Sequence, residues 1–171
     1  MVIILYFYAV LYLIVMIIFT GEYDCKVDAK GRIMLPASFR KQMGEADVFR
    51  FVIKKDLYES CLELYTADEW ERQNKLILKN TNPYDPEHRQ FIRDFRMGAV
   101  EVECDNTGRL LIPNRLLKQA NMDKEVVLSG NIGKIELWAP EQYNSSGGNV
   151  DVKRDRAKRI MQNASYNLDD L

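Results

Sequence analysis

Asp28-Ala29-Lys30-Gly31-Arg32 and Asp105-Asn106-Thr107-Gly108-Arg109 are the two stretches of this chain whose residue types and spacing suit contact with another molecule. In each, an Asp can accept bonds from the backbone ahead, a Gly can take positive φ, and an Arg stands just beyond the turn. The guanidinium is a planar fork of donors that fits phosphate oxygens and base edges. A carboxylate beside it can hold that fork ready. The residues alone leave two readings open. Either the Arg reaches into a nucleic acid from the end of a two-stranded ribbon, or Asp-x-x-x-Arg staples its own hairpin and does nothing further. Lys30 in the first turn is answered by Thr107 in the second, so the two turns should not contribute equally.

The elements that must position these turns form an internal repeat. Residues 21–43 and 98–120 superpose at a constant offset of 77, which sets Gly21 on Gly98, Asp28 on Asp105, Gly31 on Gly108, Arg32 on Arg109, Pro36 on Pro113 and Gln42 on Gln119. The offset then shrinks, and Phe51-Val52-Ile53 answers Val126-Val127-Leu128 while Leu62-Glu63-Leu64-Tyr65 answers Ile135-Glu136-Leu137-Trp138. So many ordered matches are not a product of chance. Each copy reads as an extended segment (22–27; 99–104), the Asp-x-x-Gly turn, a short apolar strand (33–35; 110–112), and a Pro opening a short helix. Two further strands complete it (48–53 with 61–65; 125–129 with 135–138). About four strands and one short helix bury too little to fold alone. The expected fold is therefore α+β, mainly β: a pseudo-twofold barrel of two interlocked repeats with linking helices. Thr66-Ala67-Asp68-Glu69 is a capping box opening a helix with Trp70, Leu76 and Ile77, and 87–97 reads as a second helix with Phe91 and Phe95 at i, i+4. Ser145-Ser146-Gly147-Gly148 reads as a hinge before a basic tail helix or disordered arm at 153–159.

Composition narrows the function classes. With 24 Lys and Arg against 25 Asp and Glu, net charge does not advertise a nucleic-acid partner, and any such contact needs a local cluster of cations. Cys25, Cys61 and Cys104 form no C-x-x-C pair and read as small apolar fillers in a reduced interior. His88 is the single histidine, so neither a metal set nor a Ser-His-Asp triad can be built on it, and a satisfied helix histidine is expected. No phosphate-cradling Gly loop or dinucleotide fingerprint is present. Trp70, Trp138 and the tyrosines fall on expected core faces rather than on a base-stacking platform. The expectation is a protein that is not an enzyme, with no metal, no cofactor and no small-molecule substrate.

The N-terminal block departs from this pattern. Residues 2–19 carry no charged or amide side chain. The block could cross a membrane, could pack on the body, or could be translated upstream sequence ahead of a start at Met16. The division of the chain is thus 1–15 as an apolar leader, 16–65 as the first half, 66–97 as linking helices, 98–143 as the second half and 144–171 as a basic tail.

Gly21-Glu22-Tyr23, Asp28-x-Lys30-Gly31-Arg32, Leu35-Pro36, Cys61-Leu62-Glu63-Leu64-Tyr65, Trp70-Glu71 and Asp105-x-x-Gly108-Arg109-x-x-Ile112-Pro113 together resemble the MraZ family, over about Met16 to Tyr143. The resemblance implies a tandem pair of AbrB-like swapped-hairpin halves assembled into homo-oligomeric rings. It also implies transcriptional regulation, by binding double-stranded DNA at promoter repeats of the division and cell-wall gene cluster, in the cytoplasm and at the nucleoid. For this chain it implies that Lys30, Arg32 and Arg109 contact DNA while Asp28, Gly31, Asp105 and Gly108 shape the turns. A start at Met16 suits the family, and a membrane enters only if residues 2–19 are truly present. The competing readings are a membrane-anchored oligomeric interaction protein and an antitoxin-like DNA-binding module.

Overall fold

The computed structural model describes residues 17–44, 46 and 48–162. Its strands are β1 (Glu22–Lys26), β2 (Arg32–Met34), β3 (Phe49–Lys55), β4 (Cys61–Thr66), β5 (Val100–Cys104), β6 (Arg109–Leu111), β7 (Glu125–Asn131) and β8 (Lys134–Trp138). The helices are α1 (Ala37–Gln42), α2 (Ala67–Asn80), α3 (Pro86–Arg96), α4 (Asn114–Gln119), α5 (Pro140–Ser146) and α6 (Val150–Met161). The apolar leader lies outside the described residues. Among those described, no helix is long and apolar enough to cross a membrane.

All eight strands join one sheet in the order β1-β7-β8-β4-β3-β5-β6-β2, with every pairing antiparallel. Exchanging each strand with its repeat partner returns the same circular order read backwards, which is the signature of a twofold axis. The circle all but closes: β1 meets β2 through a Cys25 Sγ contact to the Met34 carbonyl and the Asp28 N–H donating to the Arg32 carbonyl. The axis leaves the barrel between Ile33 and Leu110, which face each other in the β2–β6 pair, and between Glu63 and Glu136, which face each other in the β4–β8 pair.

The interior follows from alternation along each strand. Ile33, Leu35, Phe51, Ile53, Leu62, Leu64, Leu110, Ile112, Leu128, Ile135 and Leu137 fill one core to which both repeats contribute, with Phe39 of α1 and Leu116 of α4 closing it. Neither half owns that core, so neither half is expected to fold apart from the other. Cys61 and Cys104 are buried fillers as expected, while Cys25 is only half-buried.

The outward Val52 and Lys54 of β3 and Glu63 and Tyr65 of β4 are buried too, on the side over which the α2–α3 hairpin lies. Thr66 Oγ1 caps α2 by accepting from the Glu69 N–H, and Asp85 caps α3, which begins at Pro86. Trp70 packs at 5.8 Å from Tyr65 and stacks on Phe95 at 5.4 Å between ring centres. Beneath them lies an ionic cluster. Lys54 (1% exposed) pairs with Glu63 (4% exposed) at 2.5 Å and places its ammonium 4.7 Å from the Phe95 ring centre. Lys134 also binds Glu63 and stands 3.5 Å from Glu136. Burial alone would lower the Lys134 pKa, but the Glu63 carboxylate together with Glu136 and Asp56 outweighs it and holds the ammonium up.

Two expectations need correction, and one open alternative takes the helical form. Tyr58 and Tyr84 are exposed rather than on core faces, since both sit in loops and not on the alternating strands. The expected hinge begins later, because α5 runs through Ser146 and the break is at Gly147-Gly148, where Gly148 takes φ +58°. Residues 153–159 belong to a helix, α6, every residue of which is exposed.

Candidate nucleic-acid interface

The two Asp-x-x-x-Arg turns meet where the repeats interlock. The N–H of Leu35 donates to the Gly108 carbonyl at 2.8 Å, and the N–H of Ile112 donates to the Gly31 carbonyl at 2.9 Å. Each turn is therefore bonded to the other half's strand, not only to its own hairpin. Both glycines are buried with positive φ (+80° and +87°), which is why a side chain at either position is disfavoured. Sequence reasoning set each Arg near the tip of its own hairpin. The structure instead sets both on one ribbon, β2 paired with β6, that spans the two halves.

Period-2 geometry fixes which way they face. Ile33 and Leu110 point into the core, so Arg32, Met34, Arg109 and Leu111 project outward. Arg32 pairs with Leu111 and Met34 with Arg109, making the two arginines diagonal neighbours on one face, at a spacing of roughly 7–8 Å or somewhat less at Cβ. Met34 and Leu111 are 48% and 53% exposed, so the face is apolar between its cations. Lys30 is exposed at the first turn and Thr107 at the second.

The turns are held differently. Asp28 Oδ1 accepts from the backbone N–H groups of Lys30 (2.8 Å) and Arg32 (2.9 Å), while Oδ2 accepts from Arg32 Nε and pairs with Nη2, both at 2.7 Å. The Arg32 backbone bond first, then its side-chain bond, hold the Asp28 carboxyl down at about 2. Asp105 Oδ1 accepts from the Thr107 N–H (2.9 Å), the Thr107 hydroxyl (2.6 Å) and the Arg109 N–H (2.9 Å). The hydroxyl bond is the main reason its pKa is lowered. Among the described residues, the Arg109 guanidinium makes no hydrogen bond or ion pair and is exposed. The staple reading thus fits the first turn, and only the first.

Arg40 of α1, which sequence reasoning did not single out, lies against the second turn. A Cβ built on Gly108 would stand 3.0 Å from Arg40 Cζ and 3.2 Å from Met34 Sδ. His88, by contrast, is a satisfied helix residue: its Nδ1 accepts from the Asn82 N–H at 2.8 Å.

Comparison with known proteins agrees with this architecture. The family model described as "MraZ protein, putative antitoxin-like" matches twice, over residues 18–94 and 95–147, one match per repeat. The chain is similar to proteins named Transcriptional regulator MraZ from Christiangramia forsetii (39% identity, covering 88% of this chain and 97% of that one) and Flavobacterium psychrophilum (38%, 85% and 92%). A third, from Alkaliphilus metalliredigens, is 36% identical over 84% of this chain and 96% of its own. A duplicated half, a barrel closed by both copies and a twofold match over most of the sequence lead to one assignment: the chain belongs to the MraZ family.

Proposed function

We propose that this protein is a sequence-specific DNA-binding transcriptional regulator with no catalytic activity, in which Lys30, Arg32 and Arg109 contact double-stranded DNA. Asp28, Gly31, Asp105 and Gly108 shape the turns that present them. The observation that carries this reading is the diagonal placement of Arg32 and Arg109, one from each half, on a single outward ribbon face. A two-stranded ribbon fits the major groove, where guanidinium groups meet guanine edges or phosphates. The regulator names of the relatives support the same reading.

In this proposal the protein works in the cytoplasm, at the nucleoid, as a homo-oligomeric ring on promoter repeats of the division and cell-wall gene cluster. Residues 16–65 and 98–143 are its two halves, 66–97 link them, 144–171 are a tail, and 1–15 precede the regulator proper. A footprint of the purified protein on the DNA immediately upstream of its own gene tests the reading. Protection of spaced direct repeats is expected. A uniform ladder with no protected positions would refute sequence-specific binding.

A further inference from the structure

The repeat is unequal in charge at several positions, and the structure brings two of these inequalities to the same surface. At the offset of 77, Lys30 of the first turn corresponds to Thr107, and Arg40 of α1 corresponds to Leu117 of α4. Leu117 packs under the first turn, with Cδ1 3.7 Å from where a Gly31 Cβ would stand. Arg40 takes the same place under the second turn, against Gly108. Each turn therefore has its own Arg and one further cation: Lys30 in the loop of the first, Arg40 from beneath the second.

Packing alone does not account for Arg40. Its Nε is buried with no hydrogen-bond partner, which costs free energy that a leucine in the same niche does not incur. Among the described residues, its terminal nitrogens make no hydrogen bond or ion pair either. The guanidinium lies beside Met34, which projects from the outward ribbon face opposite Arg109. Its charge is felt locally: burial raises the Cys104 thiol to about 11, and the nearby Arg40 charge opposes that rise.

We propose that Arg40 is a further DNA-backbone contact, paired with Arg109, which gives the second turn the positive charge that Lys30 gives the first. This rests on the DNA-binding reading above. The ligand chemistry is a phosphodiester oxygen, which an unpaired guanidinium fork takes through charge-assisted hydrogen bonds.

The test is a salt series of binding titrations of the full chain with duplex DNA from immediately upstream of its own gene. Arg40→Leu, which installs the residue the other repeat carries there, should flatten the slope of log K against log salt by about 0.9, one phosphate contact. Arg40→Lys should keep the slope, and Arg40→Leu combined with Thr107→Lys should restore it. Arg40→Met, which keeps an unbranched stem over Gly108, gives the same readout if the leucine variant melts early. A slope in both Arg40→Leu and Arg40→Met equal to wild type overturns the proposal, as does an Arg40→Lys slope as flat as that of Arg40→Leu. Failure of the wild-type protein to bind the duplex would instead overturn the DNA reading itself.

Discussion

Asp28 and Asp105 show how far identical motifs can differ once each has neighbours. Both carboxylates order their turn through backbone N–H groups, but only Asp28 engages the guanidinium of its own arginine. Arg32 is thereby preorganised, whereas Arg109, in the proposed DNA contact, would have to be ordered on binding. Removing Arg32 also leaves the Asp28 carboxylate uncompensated on the face proposed to meet phosphates. Arg32→Ala should therefore weaken binding to the upstream duplex more than Arg109→Ala in a gel-shift titration; equal affinities for wild type and both variants would refute this. The turn itself reports on pH. Because the folded Asp28 pKa (about 2) lies below its ordinary value of 3.8, its contribution to stability is complete above that value and is lost as pH falls through about 2. In Arg32→Ala, NMR titration of the Asp28 carboxyl should give a higher pKa that still lies below 3.8, since the residue-32 backbone N–H remains. A pKa unmoved from about 2 would mean that the side-chain bond adds nothing. None of this asymmetry was visible in the two pentapeptides, except for Thr107, whose hydroxyl takes up the carboxylate.

At the level of elements, strands and turns were legible because each half repeats the other and because period-2 alternation marks core faces. The α2–α3 hairpin was legible through its capping box and its Phe91–Phe95 pair. The short helix α5 was missed: Gln-Tyr-Asn-Ser-Ser is a poor helix former, and packing against β7 overrides propensity there. The ionic cluster was equally hidden. Lys54 and Glu63 look like exposed strand residues until the hairpin covers them, and no local pattern says that it will. Removing one partner of a buried pair leaves the other charge uncompensated, so Glu63→Gln should cost about 3–5 kcal/mol in chemical denaturation. A loss below about 1 kcal/mol would show that Lys54 finds water in its place. The same variant should loosen the hairpin first, seen as faster amide exchange in α2 and α3 than in β2 and β6.

Across the whole molecule, charge is balanced in sum and divided in space. The outward positions of β1 and β5 carry exposed Glu22, Asp24, Glu101 and Glu103 with Lys26 as their one cation, while the β2–β6 face carries the arginines. That division reconciles a net charge of −1 with the polyanionic partner proposed above. A single ribbon offers few cations, so a ring on repeated sites should bind through effective concentration rather than single-site strength. A duplex with several direct repeats should be held about 10²–10⁴-fold more tightly than one with a single repeat, measured by anisotropy; equal affinities would argue against simultaneous engagement. The facing glutamates on the barrel axis carry a last implication. Lys134, which satisfies both Glu63 and Glu136, stands where the other half has Cys61. Were the halves two copies of one polypeptide, any ammonium introduced there would arrive in duplicate, and the pair could never be answered by a single group. Joining them in one chain lets each side of the axis mutate alone, and Lys134 on one side can then bridge what symmetry would otherwise set against itself.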